Sequence, residues 1–462
     1  MNILSILIPY ALSWIIGYSL VTILLEKETK LDHAVRLFIG GGLGAGISAV
    51  ILFINFWLLD GWHRSSVILS HVILMAFAVG LILLRRKNRL QDHGLPEQLW
   101  QRAIIYSIFA IAFLPLWSQS RYYPLGGWDA WQVWNFKARF LFLAGSNWEN
   151  IFLPALWRSS PHYPLLLPLF NVWGWSIVNH PTPLVPQLTS LFFTFLTCGL
   201  LLAVLWRNTR TPWVIVGPAL LLSLPFYGLQ AISQYSDIVL SFYFMAGLFC
   251  VCETLRPIKA SKKNRFPGEI LSYTALGGLF LSLAGFTKPE GLVAAGIIAL
   301  FTGILWLTSS HSQALKIRLF LTFAAALGIG TIPLFIFHFF YSPGNLTFIN
   351  GLISKTNPVS LYRLKMILAF ILTELKSSKW NGLWILLGIG MIVGWRKCWR
   401  REIVILPLFT AIYLITVLFY CWINTYFPIG WWLQVSLSRI LFSLMPVVVY
   451  WIFSSLWWEK SK

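Results

Sequence analysis

Long apolar runs recur along the whole chain and constrain its fold more than any other feature. A helix needs about 20 mostly apolar residues to cross a bilayer. Thirteen such runs lie at 3–25, 37–58, 66–84, 103–118, 184–206, 213–230, 237–254, 271–286, 291–308, 319–341, 383–395, 402–423 and 440–457. Because backbone polar groups in lipid must be bonded within their own segment, the runs predict an all-α polytopic integral membrane protein with thirteen transmembrane helices.

Composition supports this class. Of the 462 residues, 58% are hydrophobic and 11% are charged, whereas soluble domains carry about 25% charged residues. An ordinary soluble enzyme, a secreted disulfide scaffold and a disordered chain are therefore excluded. The formal net charge of +20 does not indicate nucleic-acid binding, because the basic residues form short clusters between apolar runs. The expected surroundings are a lipid bilayer.

The distribution of Lys and Arg predicts the orientation. Of these 35 residues, 23 lie in one alternating set of connections and 12 in the other. Since cytoplasmic loops carry the excess of positive charge, the N-terminus is expected outside and the C-terminus in the cytoplasm, within the cytoplasmic (inner) membrane. This map leaves two long external regions, 119–183 and 342–382, each with interfacial helices. Long loops in compact proteins are usually functional.

The first external region contains a predicted amphipathic helix at 128–143. At 100° per residue its polar side chains share one face, and they are Asp129, Gln132, Asn135 and Arg139. Trp128 and Trp131 suit the headgroup level. The helix is either a simple anchor or part of a site. Asp129 is the single acid on that face and so the candidate for chemistry, although it could also be an N-cap.

A second predicted interfacial helix, 163–178, follows in the same region. His162 and Tyr163 come directly before Pro164 and this apolar segment. His162 is either a structural histidine or, with Tyr163, part of a substrate pocket.

Two short external segments add ionisable residues at the membrane edge. Asp237 ends the QYSD sequence at the mouth of a helix, where an acid could also be an N-cap. Lys288 and Glu290 flank Pro289 at the tip of a helical hairpin and could simply pair with each other. Charges at this position are costly enough to indicate function.

External cations point to an anionic ligand. The second external region sets one acid, Glu374, against five basic residues, Lys355, Arg363, Lys365, Lys376 and Lys379. Such a cluster suits anionic headgroups, by nonspecific contact, or a lipid-linked phosphate. Arg439 stands alone among apolar residues in SLSRILFSLMP. Since guanidinium groups pair well with phosphate oxygens, Arg439 is the better phosphate candidate.

These motifs together resemble a known family. GGWDAWQVWNFKARFLF, HYPLLLP, QYSD, FTKPEG and SLSRILFSLMP occur in that order over 120–440. The set resembles the GT-C membrane glycosyltransferases. It is most similar to the dolichyl-phosphate-mannose–protein mannosyltransferase-like superfamily, with the lipid A aminoarabinose transferase and the rhizobial core galacturonosyltransferases. Under this resemblance, 1–100 holds three accessory transmembrane helices and 101–462 a GT-C-like catalytic module.

The resemblance implies roles for individual residues. Asp129 matches the family's reaction-centre carboxylate and Asp237 its second acid. Lys288 and Arg439 match residues that hold the donor phosphate, with Lys137 and Arg139 as further candidates. The implied substrate pocket has five members: Trp128, Gln132, His162, Tyr163 and Glu290. Some relatives hold a divalent metal ion near the acids. Here the first acid is single (WDAW) where many relatives carry an Asp-Glu pair, so a metal at Asp129 and Asp237 stays an open question.

The expected reaction transfers a sugar from a polyprenyl-phosphate donor to a hydroxyl of a lipid, glycan or protein acceptor, with inversion implied by the resemblance. Asp129, alone or with Asp237, would be the base, and cations would stabilise the leaving phosphate. Two alternatives stay open. A polyprenyl-linked glycan polymerase or ligase would use external basic residues without an essential acid. A transporter or flippase would need charges at mid-membrane.

Overall fold

The structure, a computed structural model, describes residues 3–25, 33–86, 99–209, 211–256, 267–344 and 360–457. Within these ranges the regular elements are helices and no strand occurs. The α-helices are α1 Ile3–Leu24, α2 His33–Leu59, α3 Arg64–Arg86, α4 Leu99–Ile111, α5 Leu114–Tyr122, α6 Asn135–Leu143, α7 Leu166–Val178, α8 Leu184–Thr209, α9 Val216–Leu222, α10 Pro225–Ser233, α11 Ser236–Leu255, α12 Pro267–Thr287, α13 Pro289–Leu307, α14 Gln313–Phe340, α15 Leu361–Lys376, α16 Leu383–Val393, α17 Trp395–Cys398, α18 Ile405–Ile423 and α19 Ile429–Trp457. The predicted class, an all-α polytopic membrane protein, is confirmed.

The number of spans is close to the prediction. In the described ranges, eleven segments are long and apolar enough to cross a membrane, or twelve if the bent pair Pro212–Leu222 and Pro225–Ser233 counts as one span. The predicted span at 383–395 corresponds to α16, which has 11 residues. At 1.5 Å per residue such a helix is only about 17 Å long, too short to cross alone. The count of thirteen therefore stays a prediction.

Contacts between helices define two ends of the bundle. At the site end, defined by Asp129, Asp237, Lys288 and Arg439, the chain segments around these residues meet. At the opposite end, Arg207 of α8 bonds Glu253 near the end of α11. Arg401 donates there to the carbonyl of Leu305 at the end of α13. Since α11 and α13 each begin at the site end, the two sets of contacts lie a helix length apart.

The bent pair connects these two ends. Arg207 lies at the opposite end, whereas the carbonyl of Ser233 accepts a hydrogen bond from the backbone N–H of Gly127 at the site end. The segment 212–233 thus carries the chain across the bundle, as a broken helix bent by 71°. The break precedes Pro225, where Leu224 is extended at φ −78° and ψ 124°. A residue before proline is disfavoured in helical geometry, which explains why the span is broken here.

The three N-terminal helices share the core of the rest of the chain. A Cβ on Gly17 would overlap the carbonyl oxygen of Gly40, so α1 and α2 approach at backbone distance, as small residues permit in membrane helices. Tyr10 donates to the carbonyl of Val185 at 2.9 Å, and Trp173 donates to that of Pro9 at 2.9 Å. In the described residues, one hydrophobic core includes side chains from both sides of residue 100. The predicted division at this residue stays a prediction.

The predicted interfacial helices have different surroundings. α7 replaces the predicted helix 163–178, and its residues from Leu166 to Ser176 are all buried. It packs against α1, α2 and α6, so its neighbours are other helices, and its predicted interfacial position stays a prediction. α15 exposes Leu361, Leu368 and Leu372 and buries Ile367 and Glu374, which suits an interfacial helix. Lys355, one of the predicted external cations, lies outside the described residues.

Candidate active site

Five of the predicted site residues meet in one ion network. Arg439 donates through Nη1 to Oδ2 of Asp129 at 2.6 Å. Its Nε and Nη2 donate to Oδ2 of Asp237 at 2.9 and 2.7 Å. Lys288 Nζ lies 3.0 Å from Oδ1 of Asp237 and 3.4 Å from Oε1 of Glu290. The network therefore sets three carboxylates against two cations.

Arg439 reaches the network from inside a long helix. α19 begins at Ile429, whereas the apolar run predicted a start at 440, so Arg439 lies in the third turn and not at the helix end. A charge within an apolar helix is costly unless it is paired. Two carboxylates supply that pairing. The neighbouring Ser438 donates to Glu374 at 2.6 Å, which ties this turn of α19 to α15.

Asp237 is the buried acid of the network. It lies in the first turn of α11, all 20 residues of which are buried, and its side chain is 2% exposed. The N-cap of α11 is Tyr235 and makes no side-chain cap, so the alternative in which Asp237 is an N-cap is wrong. The positive end of the helix dipole favours a carboxylate here, in addition to Arg439 and Lys288.

Lys288 is held between two acids at the start of α13. It takes an extended conformation directly before Pro289, a favoured first residue of a helix. Burial disfavours its ammonium, but Asp237 and then Glu290 outweigh burial and raise the pKa of Lys288 above its ordinary value. Lys288 is therefore positively charged at neutral pH. The alternative in which Lys288 and Glu290 pair only with each other omits the closer contact, to Asp237.

The loop that carries Asp129 depends on two glycines. Gly126 has a φ of +68°, which favours glycine. The Gly127 N–H donates to the carbonyl of Ser233 at 3.0 Å, and a Cβ on Gly127 would overlap the phenol of Tyr235. Only glycine therefore lets the loop approach the segment just before α11. This approach brings Asp129 toward Asp237.

Tyr235 is a site residue that the sequence reasoning missed. Its hydroxyl accepts a hydrogen bond from the Asp129 N–H at 3.4 Å, and the Arg439 guanidinium lies 4.7 Å from its ring centroid. Burial and then the charge of Asp129 raise the pKa of Tyr235, so the phenol keeps its proton. The available signal was its place in QYSD, two residues before the acid.

A chain of amide side chains fixes the same loop from the other side. Gln234 Nε2 donates to the carbonyl of Pro124 at 3.1 Å. Its Oε1 accepts from Asn135 Nδ2 at 2.7 Å, and Asn135 Oδ1 accepts from Asn171 Nδ2 at 3.2 Å. Asn135, predicted on the polar face of the first external helix, therefore positions the loop and takes no part in the ion network.

Asp129 is one of two partly exposed acids of the network, the other being Glu290 at 35%. Asp129 is the N-cap residue of the π-helical turn Ala130–Trp134 but makes no side-chain capping bond, so capping does not account for its carboxylate. Its side chain is 25% exposed, against 2% for Asp237. Arg439 bonds only Oδ2, and within the described ranges Oδ1 has no partner. This oxygen can therefore accept a proton from an incoming hydroxyl.

Four other predicted residues lie outside the network. Lys137 is fully buried and donates to the carbonyls of Ser160 and Tyr163 at 2.5 and 3.3 Å, so it supports the segment of His162 and Tyr163. Burial lowers the pKa of Lys137. The remaining three are Arg139 and Trp128, both exposed, and Gln132, partly buried. None of them bonds to the network in the part of the chain that the structure describes.

Burial and then the charge of Glu290 raise the pKa of Tyr163 to about 12. It therefore remains a protonated phenol at neutral pH. Its ring also stacks on Trp134, with centroids 5.6 Å apart. The predicted place of Tyr163 in a substrate pocket stays a prediction.

The arrangement does not fit a metal ion between Asp129 and Asp237, the two residues predicted to hold one. The guanidinium of Arg439 lies between their carboxylates and bonds both. A divalent cation there would face this positive charge. Among the described residues, no group of three or more His, Cys, Asp and Glu side chains is placed to hold a metal. We therefore derive no step through a metal.

Comparisons with known proteins add no identification. The chain matches no protein-family model, no curated protein and no solved structure. The resemblance of its short motifs to GT-C glycosyltransferases accordingly stays a prediction.

Proposed function

We propose that the protein is a membrane glycosyltransferase. It moves a sugar from a polyprenyl-phosphate donor to an acceptor hydroxyl on a lipid, glycan or protein, on the extracytoplasmic side of the cytoplasmic membrane. The observation that carries the proposal is the network itself. An accessible carboxylate, Asp129, and a buried one, Asp237, are bridged by Arg439 beside the charged Lys288. A base and phosphate-binding cations thus stand together.

Asp129 acts as the general base in this proposal. Its Oδ1 takes the proton of the acceptor hydroxyl, and the acceptor oxygen forms a bond to the anomeric carbon. The bond between that carbon and the phosphate oxygen breaks, and polyprenyl phosphate leaves with the electron pair. A single displacement of this kind inverts the anomeric configuration. A positioned base contributes about 10²–10⁴-fold to such a step.

Arg439 and Lys288 stabilise the departing phosphate. A guanidinium carries five N–H donors in a planar fork, and the three bonds to Asp129 and Asp237 leave the others for a ligand. The phosphate can therefore bind without breaking the carboxylate pairs. Asp237, buried and bonded to both cations, positions them. Donors aimed at a developing charge are usually the largest contribution to catalysis.

The orientation follows from the basic residues. The network lies at the end of the bundle opposite Arg207 and Arg401, which belong to the larger set of Lys and Arg. Under the positive-inside rule this larger set faces the cytoplasm. The network then faces outward, where a membrane-soluble donor brings its own leaving group.

The test is turnover by the purified full chain in lipid nanodiscs, without an ion gradient. A panel of polyprenyl-phosphate sugars is supplied with membrane-lipid and glycan acceptors, and polyprenyl phosphate release is followed by mass spectrometry. Asp129→Asn should stay folded and lose about 10²–10⁴-fold in rate. Glu149→Gln, an exposed acid of the same external region, is the matched control and should retain wild-type rate.

Two results would contradict the proposal. One is transfer at the wild-type rate by Asp129→Asn. The other is movement of an intact substrate across the bilayer, dependent on an ion gradient and without release of polyprenyl phosphate. The second result would assign the protein to the transporters.

A further inference from the structure

A cavity adjoins the ion network and is not used by the steps above. Its volume is about 250 Å³, and its lining residues are His162, Pro289, His338, Ser342, Pro343 and Gly344. Pro289 stands between Lys288 and Glu290 in the chain, so the cavity lies directly beside the charged groups. Ligand pockets for drug-sized molecules hold about 300–1,000 Å³. The cavity is smaller and suits one ring.

Two imidazoles face this cavity without partners. Within the described ranges neither His162 nor His338 makes a hydrogen bond; their contacts are with the adjacent rings of Tyr163 and Phe337. His162 comes from the segment before α7 and His338 from the last turn of α14, and both line the cavity. His162 is partly buried and His338 is exposed. Their ring nitrogens are therefore available to bond a ligand that enters the cavity.

The imidazole of His162 is neutral at physiological pH. Burial, then the positive charges of Lys137 and His338, lower the pKa of His162 to about 4. A neutral imidazole offers one N–H donor and one acceptor nitrogen. Ser342 adds a hydroxyl, and the two prolines add apolar surface. This lining suits a neutral ring with several hydroxyls better than a phosphate, which the neighbouring cations would bind.

We propose that this cavity binds one neutral sugar ring, with His162 and His338 as specificity-determining residues that bond its hydroxyls. The ligand class rests on the proposed function. Either sugar of the reaction has this chemistry, the one on the donor or the one on the acceptor. The experiment below separates the two.

The test is histidine modification by diethylpyrocarbonate on the purified full chain, mapped by mass spectrometry. The reagent attacks neutral imidazoles. Methyl glucoside, methyl galactoside and methyl mannoside are the probes, with methyl glucuronoside as the charged counterpart. A neutral glycoside should slow modification of His162 and His338 and leave the exposed His180 unaffected. Polyprenyl phosphate without a sugar should protect neither histidine.

A donor sugar and an acceptor sugar give different patterns of histidine protection, and either pattern supports the proposal. Protection by a sugar-bearing polyprenyl phosphate assigns the cavity to the donor sugar. Protection by the free glycoside alone assigns it to the acceptor. Equal protection by polyprenyl phosphate or by the glucuronoside would overturn the proposal, as would no protection by any neutral sugar. This readout needs no turnover, so it separates a failed cavity from a failed catalytic proposal.

Variants give a second measurement. His162→Phe and His338→Phe keep a ring and remove the hydrogen bond. Each should raise the KM for the sugar substrate roughly threefold to tenfold, the size of one hydrogen bond, with kcat nearly unchanged. His180→Phe is the matched control. A fall in kcat at constant KM would place these histidines in the chemistry and contradict a binding role.

Discussion

Two ion clusters hold opposite ends of the same helices, and they are built differently. At the opposite end, Glu253 of α11 is fully buried and pairs with Arg207 at 3.2 Å and with Arg256 at 3.0 Å. Arg207 also donates to the hydroxyl of Tyr273 at 3.0 Å. One acid is therefore enclosed by two cations and a phenol. At the site end, three carboxylates share two cations, and two of the acids, Asp129 and Glu290, are 25% and 35% exposed.

The difference separates a structural cluster from a functional one. Each oxygen of Glu253 faces a cation. In the described part of the site end, Asp129 Oδ1 and Glu290 Oε2 have no partner, and Pro289, the chain neighbour of Glu290, lines a cavity. A closed cluster stabilises the helix ends, whereas a cluster with unpaired oxygens can still bond a ligand. The presence of charged side chains alone would not distinguish the two ion clusters.

The largest expected effect is on stability, at the opposite end. Glu253→Ala leaves Arg207 and Arg256 without their common carboxylate, and breaking a buried pair costs about 3–5 kcal/mol. Rate per folded molecule should stay within a factor of about two. Unfolding in mixed micelles measures the loss of stability. Turnover by the folded fraction measures the rate per folded molecule. The exposed Glu149→Ala should change stability by less than about 0.5 kcal/mol. A Glu253→Ala variant that is stable but inactive would contradict a purely structural role for this cluster.

The next effect is on catalysis, at the site end. Arg439→Ala should reduce turnover by about 10²–10³-fold, since one electrostatic donor contributes on that scale. Arg439→Lys should recover only part of this loss, because an ammonium lacks the planar fork. Arg158→Ala serves as the control, because Arg158 is an exposed arginine of the predicted external region 119–183. Full activity of Arg439→Ala would remove this residue from the site.

Asp129 and Arg439 should also be coupled. In a double-mutant cycle with Asp129→Asn and Arg439→Ala, the losses should not add, because the two side chains are bonded. Additive losses would mean that the bond between them has no catalytic role.

The smallest effect is a pH dependence of stability at the site end. The pKa of His162 is lowered from 6.5 to about 4 by burial and by the charges of Lys137 and His338. The unfolded chain therefore binds more protons between these values, so the contribution of His162 is complete above pH 6.5 and is lost as pH falls toward 4. His162→Phe should flatten the slope by at most about one proton. An unchanged slope would mean that His162 is solvated.

Much of the fold was predictable because spans are set by apolar length. The helical hairpin around Lys288 and the buried start of α11 at Asp237 follow directly from the runs. The buried position of α7 was not predictable, because an apolar helix that lies flat in an interface and one packed between neighbours have the same composition. The broken span at 212–233 depends on one local conformation, that of Leu224 before Pro225.

The acids and cations of the site were predictable from type and position, but their pairing was not. Asp129 and Arg439 are 310 positions apart, and no local pattern joins them. For Lys137, residue type and position predicted a role that its contacts do not match. Its type and place on the first external helix matched a phosphate ligand, yet burial directs its ammonium to backbone carbonyls. Tyr235 was missed since a phenol between two charged residues has no sequence signature of its own.

The distance in sequence between the partners of Arg439 sets the order in which the site can be assembled during synthesis. Asp237 and Lys288 are made early and can pair with each other as soon as α12 and α13 insert. At about 5–20 residues per second, α19 follows roughly 8–30 s later. Until then Lys288 alone neutralises the buried Asp237, and Asp129 has no arginine to bind. The ribosome thus completes the Asp237–Lys288 pair first, and a nascent chain acquires the contacts of Arg439 only with its last helix.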